Sequence, residues 1–128
     1  MFTVDGPGWR VQQGQALWRP FKGMPELGGD LLVATHEDGR CFVEFAKTAM
    51  PMASAQTTPT NWLVRFPIRQ IGFMGRRNPP TRFGWLYLHP ALSGHSLPKA
   101  FTFQRKPDGG WRLENTRSGE MMEGYLSP

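Results

Sequence analysis

The sequence predicts an all-β fold: an antiparallel half-open barrel or strongly curved sheet of about 8–10 short strands, with at most short helical turns. Three observations lead there. Gly (15) and Pro (12) are frequent among the 128 residues and punctuate short apolar runs. Two Asp-Gly pairs sit between alternating segments, a strong hairpin signal. No long stretch repeats its apolar residues with the helical period. A chain of 128 residues with 39% hydrophobic and 20% charged residues has the length and composition of one globular domain, here residues 1–128.

Asp38-Gly39 is flanked by Leu31–His36 and Cys41–Ala46. Read as a two-residue turn, it opposes 36 to 41, 34 to 43 and 32 to 45, so Leu32, Ala34, His36, Cys41, Val43 and Phe45 share a face. Trp62-Leu63-Val64-Arg65-Phe66 alternates as a strand with Trp62, Val64 and Phe66 on one side. Ile68 to Met74 continues it beyond Pro67, and Gly75 to Pro80 reads as a loop. Phe83 to Leu88 reads as a further strand. Pro90 to Gly94 has the composition of a single helical turn closed by glycine. Ala100–Lys106 and Trp111–Asn115 flank Pro107-Asp108-Gly109-Gly110, which opposes Lys106 to Trp111. A last turn at Arg117–Glu120 sets Arg117 opposite Glu120 and leads into a strand over Met121–Leu126.

Charge is distributed unevenly. All ten acidic residues lie outside positions 45–107, while that interval carries Lys47, Arg65, Arg69, Arg76, Arg77, Arg82, Lys99, Arg105 and Lys106. A one-signed surface concentrates anions near it. Arg65, Arg69, Arg76, Arg77 and Arg82 are the candidate anion contacts. Phe73 and Met74 stand beside Arg76 and Arg77 as an apolar tip, the composition of a segment that touches an anionic bilayer.

Little points to catalysis. The expected register puts His36 beside Cys41, as in an activated thiol, yet no third orienting group is identifiable. No zinc-ligand spacing, phosphate loop or nucleophile elbow occurs. The expectation is a non-enzymatic binding module without metal or cofactor. Small barrels can enclose an apolar ligand, and Leu32, Val43, Phe45, Trp62, Val64 and Phe66 are the candidate cavity lining. Six further methionines besides Met1 add adaptable surface. The alternative is single-stranded nucleic-acid binding, with the same arginines on the backbone and exposed Phe83, Trp85 and Tyr87 stacking on bases.

Between residues 14 and 113 the chain resembles the periplasmic lipoprotein carriers and outer-membrane lipoprotein receptors (LolA/LolB-like). The likeness is carried by Gly14 to Arg19-Pro20, by Trp62-Leu63-Val64-Arg65-Phe66-Pro67, and by Leu97-Pro98-Lys99-Ala100-Phe101 followed by Trp111-Arg112-Leu113. It implies a half-open barrel capped by short helices around a cavity for acyl chains, with Arg19 helping to hold the lid. A lipid or lipidated protein is then the expected partner, with an anionic membrane surface as a second contact. Met1–Gly6 lacks a basic stretch followed by an apolar run. The expected location is the periplasm or cell envelope if a leader was removed, and otherwise the cytoplasm.

Overall fold

A computed structural model describes residues 1–127. Nine antiparallel strands form one open, curved sheet: β1 (Trp9–Arg19), β2 (Leu27–His36), β3 (Cys41–Lys47), β4 (Met50–Thr57), β5 (Asn61–Phe66), β6 (Ile71–Arg76), β7 (Phe101–Arg105), β8 (Trp111–Asn115) and β9 (Met121–Leu126). Their spatial order is β6-β5-β4-β3-β2-β1-β9-β8-β7. The first six strands follow one another as a meander. The chain then leaves the sheet, crosses its concave face and returns as β7–β9, with β9 beside β1. Strands β6 and β7 are the two free edges.

The crossing segment fills the hollow. It contains a 3-10 turn over Gly84–Leu86 and the short helix α1 over Leu88–Leu92, where a strand over 83–88 was expected. A short continuous apolar run has no period by which to tell a buried helical piece from a buried strand. Pro79-Pro80 before it and Pro90 within it further discourage strand pairing. The expected helical turn near Pro90 is present, two residues longer at its start, and Gly94 follows with φ 78°.

Both Asp-Gly hairpins close with three-residue loops, and this changes their register. The His36 N–H donates to the Arg40 carbonyl at 2.8 Å and the Gly39 N–H to the His36 carbonyl at 3.0 Å. Only Gly39 (φ 98°) is left-handed in that loop; Asp38 is not, so the two-residue turn with two left-handed positions is absent. The second hairpin repeats this: Lys106 N–H bonds to the Gly110 carbonyl, Gly109 has φ 91°, and Arg105 rather than Lys106 opposes Trp111. A slip of one residue flips a strand's faces. Leu31, Val33 and Thr35 therefore join Cys41, Val43 and Phe45 on the concave side, and Leu32, Ala34 and His36 face outward.

Two further expectations are corrected. Pro67–Arg69 forms a 3-10 turn ended by Gln70 in a left-handed conformation, so Ile71–Arg76 folds back against β5 instead of extending it. Asn115, not Arg117, pairs with Glu120 across a four-residue loop, because the Asn115 side-chain oxygen takes the N–H groups of Arg117 and Ser118. Strand β4, with Pro, Ala and Ser, carries little strand propensity of its own. Its Ala53 and Ala55 are buried on the face against which the 84–86 turn packs, where larger side chains would collide with it.

Candidate functional site

The concave interior is a packed aromatic core. Trp85 stacks on Phe45 with ring centroids 5.4 Å apart and meets Trp18 edge-on at 5.7 Å. Phe83 packs against Trp62, Phe66 and Phe73. Of the six candidate cavity residues, Val43, Phe45, Trp62, Val64 and Phe66 thus face inward, and what they meet is residues 83–92. Leu32 lies on the outer face, opposite Glu44, because of the three-residue turn. Clefts of about 640, 290 and 280 Å³ open elsewhere on the molecule, and none is lined by those five residues.

Two of the polar contacts that hold the crossing segment come from the β8–β9 turn. The Asn115 side-chain amide donates to the Thr81 carbonyl at 2.9 Å. Glu120, 5% exposed, is the one buried charged side chain among the described residues. Its two oxygens accept from Trp18 Nε1 at 3.0 Å and from the Gly84 N–H at 2.8 Å. A Cβ on Gly84 would stand 2.4 Å from that carboxylate, so only glycine permits the contact. Burial pushes the Glu120 carboxyl up to about 7, against the pull of those two hydrogen bonds. The sequence offered one faint sign of this, a single Glu directly before the apolar Met121-Met122 pair.

Arg19 does not reach the segment. As an odd-numbered β1 residue it points to the outer face, where its Nε donates to the Gly119 carbonyl and its guanidinium pairs with Glu114 at 3.3 Å. Trp18, one residue earlier, makes the inward contact. Cys41 and His36 are on opposite faces, and burial pushes the Cys41 thiol up to about 12, which leaves it un-ionised at neutral pH. No cluster of three or more potential metal ligands occurs among the described residues.

The five candidate arginines are brought to one end of the sheet but not to one point. Arg65 lies on the outer face of β5 opposite Gly72, and Arg69 sits in the turn before β6. Arg76 and Arg77 stand at the far end of β6, about 13 Å along the strand from Gly72. Arg82 is on the concave rim, its guanidinium carbon 4.6 Å from the Phe83 ring centre and 5.0 Å from that of Phe73. Among the described residues, none of the five lies within salt-bridge distance of a carboxylate. Every ion pair there involves Arg19, His36, Arg40, Lys106 or Arg112.

Phe73 and Met74, expected together at a loop tip, occupy opposite faces of strand β6. Phe73 opposes Val64 and packs inward; Met74 opposes Leu63 and is 71% exposed. Ile68 in the preceding turn and Ile71, on the other face of β6 from Met74, are exposed too, which sequence reasoning missed because it carried that strand onward instead of back. Phe83, Trp85 and Tyr87, expected as exposed stacking rings, are all buried. No protein-family model matches the chain, and no curated protein matches its sequence.

Proposed function

We propose that the protein is a non-enzymatic lipid-binding module whose β5–β6 hairpin meets the anionic headgroups of a membrane. One observation carries this reading: Ile68, Ile71 and Met74 are exposed on the hairpin that also bears Arg65, Arg69, Arg76 and Arg77 without acidic partners among the described residues. Each arginine near an anionic bilayer contributes about 1 kcal/mol, and the exposed apolar side chains add burial at the acyl boundary. Contact would stop at the headgroup level, since the free edge of β6 carries backbone groups that hydrocarbon cannot satisfy. An acyl chain in the interior would first have to displace Trp85 and its neighbours. The buried rings of Phe83, Trp85 and Tyr87 remove the stacking platform on which single-strand binding would rest.

Vesicle flotation tests the reading. The protein should float with phosphatidylcholine vesicles containing phosphatidylglycerol and not with phosphatidylcholine alone. Raising salt from about 0.1 M to about 1 M should release it, because the Debye length shrinks from about 10 to about 3 Å. Arg76→Gln with Arg77→Gln should weaken binding about thirtyfold. No flotation with the anionic vesicles, or tighter binding to a single-stranded oligonucleotide at equal salt, would overturn it.

A further inference from the structure

The concave trough changes character along its length. Around Trp18, Phe45 and Trp62 it is apolar and filled, but toward the start of β1 its face turns to polar residues. There a cleft of about 290 Å³ opens between α1, the β1–β2 pair and the β7–β8 hairpin. Arg10 and Gln12 of β1 and Thr35 of β2 line one side. His89 and Ser93 line a second, and Arg105 with Trp111 a third. Every polar side chain in this wall can donate a hydrogen bond, and no Asp or Glu is among them.

Solvated cations at a sheet end need no ligand, but two features here go beyond that. Trp111 is 1% exposed, and its Nε1–H is buried without a hydrogen-bond partner among the described residues. A buried donor left unpaired costs about 1–3 kcal/mol, a cost shared by Trp85 in the filled core; at Trp111, which lines the cleft, an acceptor reaching the indole edge would relieve it. Arg105 is also positioned in advance, since its guanidinium donates to the Leu92 carbonyl. An acceptor-only ligand would use this wall fully.

We infer that this cleft is a binding site for a phosphate group, either inorganic phosphate or a small phosphate monoester. Donors approach from three sides, which suits a tetrahedral oxyanion; a carboxylate has only two oxygens and is satisfied by one guanidinium fork. The volume fits a small molecule rather than a drug-sized one. Leu92, Val33 and Leu126 complete the wall and would flank a short apolar substituent. This site lies on the concave face of β1, β2, β7 and β8, apart from the β5–β6 surface, and does not depend on the membrane reading.

Calorimetric titration of the full chain with sodium phosphate, at ionic strength matched with sodium chloride, tests it. Saturable binding with a change in tryptophan emission is expected, since Trp111 forms part of the wall. Arg10→Gln should weaken binding about tenfold. Arg10 is exposed and makes no side-chain hydrogen bond among the described residues, so its loss should leave folding intact. Arg105→Lys keeps the charge, loses the fork and should weaken binding by a similar factor. Hexyl phosphate binding more tightly than inorganic phosphate would identify a monoester, and equal affinities would identify the free ion. The Arg76→Gln/Arg77→Gln variant should bind phosphate as the wild type does, which separates this site from the membrane surface. No saturable binding, equal binding of acetate, or equal weakening by the Arg76/Arg77 variant would overturn the inference.

Discussion

The two halves of this sheet are held by different means. In the β1–β2–β7–β8–β9 half, hairpins turn on left-handed glycines at 39, 109 and 119. Acids and bases there interlock, as in Lys106–Glu123–Arg112 and Arg112–Glu114–Arg19. In the acid-free interval only Lys106, at its very end, has such a partner among the described residues, and the turns use Thr48, Ala49, Gln70 and Arg77 at positive φ. All four non-glycine residues with that conformation among the described residues lie in this interval. One half therefore turns on glycines and carries the ion pairs, while the other relies on packing against residues 83–92 and leaves Arg65, Arg69, Arg76, Arg77 and Arg82 without acidic partners among the described residues. Departures from local rules concentrate where function does. The unpaired half is the one proposed above to meet a membrane.

If packing alone holds the acid-free half, the largest effect should come from the ring that links the halves. Trp85→Ala removes contacts to Phe45, Trp18 and the β4 alanines and should cost about 3–5 kcal/mol in urea unfolding. Trp85→Phe keeps the stack and removes an indole N–H that is buried without a partner. It should cost far less, within about 1.5 kcal/mol. Equal losses in the two variants would show that the segment is held by its polar anchors instead.

Glu120 joins the crossing segment to β1 by hydrogen bonds from an ionisable side chain, so its contribution should depend on pH. Its folded-state value lies above the ordinary 4.5, at about 7, so the folded protein keeps a proton that the unfolded chain has already lost. The associated stability is complete below about 4.5 and disappears as pH rises through about 7, on the order of 3 kcal/mol in all. Glu120→Gln should flatten that slope, whatever its absolute stability. Parallel stability–pH curves for the two proteins would rule out Glu120 as the titrating link.

Much of the architecture was legible beforehand, and the failures have specific causes. Alternation in Trp62–Phe66 placed Trp62, Val64 and Phe66 inward, as found, because a strand period needs no turn geometry. The Asp-Gly signals located both hairpins but not their registers, since the same dipeptide serves two-residue and three-residue loops. That ambiguity displaced Leu32 and joined His36 to Cys41. The filled interior was illegible for another reason. Whether Phe45 and Trp62 line a cavity or pack on Trp85 and Phe83 depends on how residues 77–100 cross the sheet, a long-range choice that no local pattern encodes. Arg10, His89, Arg105 and Trp111, which line the cleft proposed to bind phosphate, are scattered over 102 positions and meet only through the placement of β9 beside β1.

The smallest effect should arise at the β3–β4 hairpin tip, where the comparison rests on backbone conformation alone. Lys47 pairs with Met50, leaving Thr48 (φ 52°) and Ala49 (φ 62°) as a two-residue turn with both positions left-handed. Such a turn favours Asn-Gly; a β-branched residue there is strained, and each left-handed non-glycine costs about 1–2 kcal/mol. Thr48→Asn with Ala49→Gly relieves that cost but gives the unfolded chain more freedom, which takes back about 0.5–1 kcal/mol. A net gain of about 1 kcal/mol is expected, raising the thermal midpoint by about 4 °C. Gly39→Ala, at the well-formed turn of the other half, should instead lower stability by about 1 kcal/mol. Opposite signs would establish that the two halves differ in turn strain. A loss in both variants would mean that Thr48 is held by contacts worth more than its backbone strain, and the contrast between the halves would then reduce to charge.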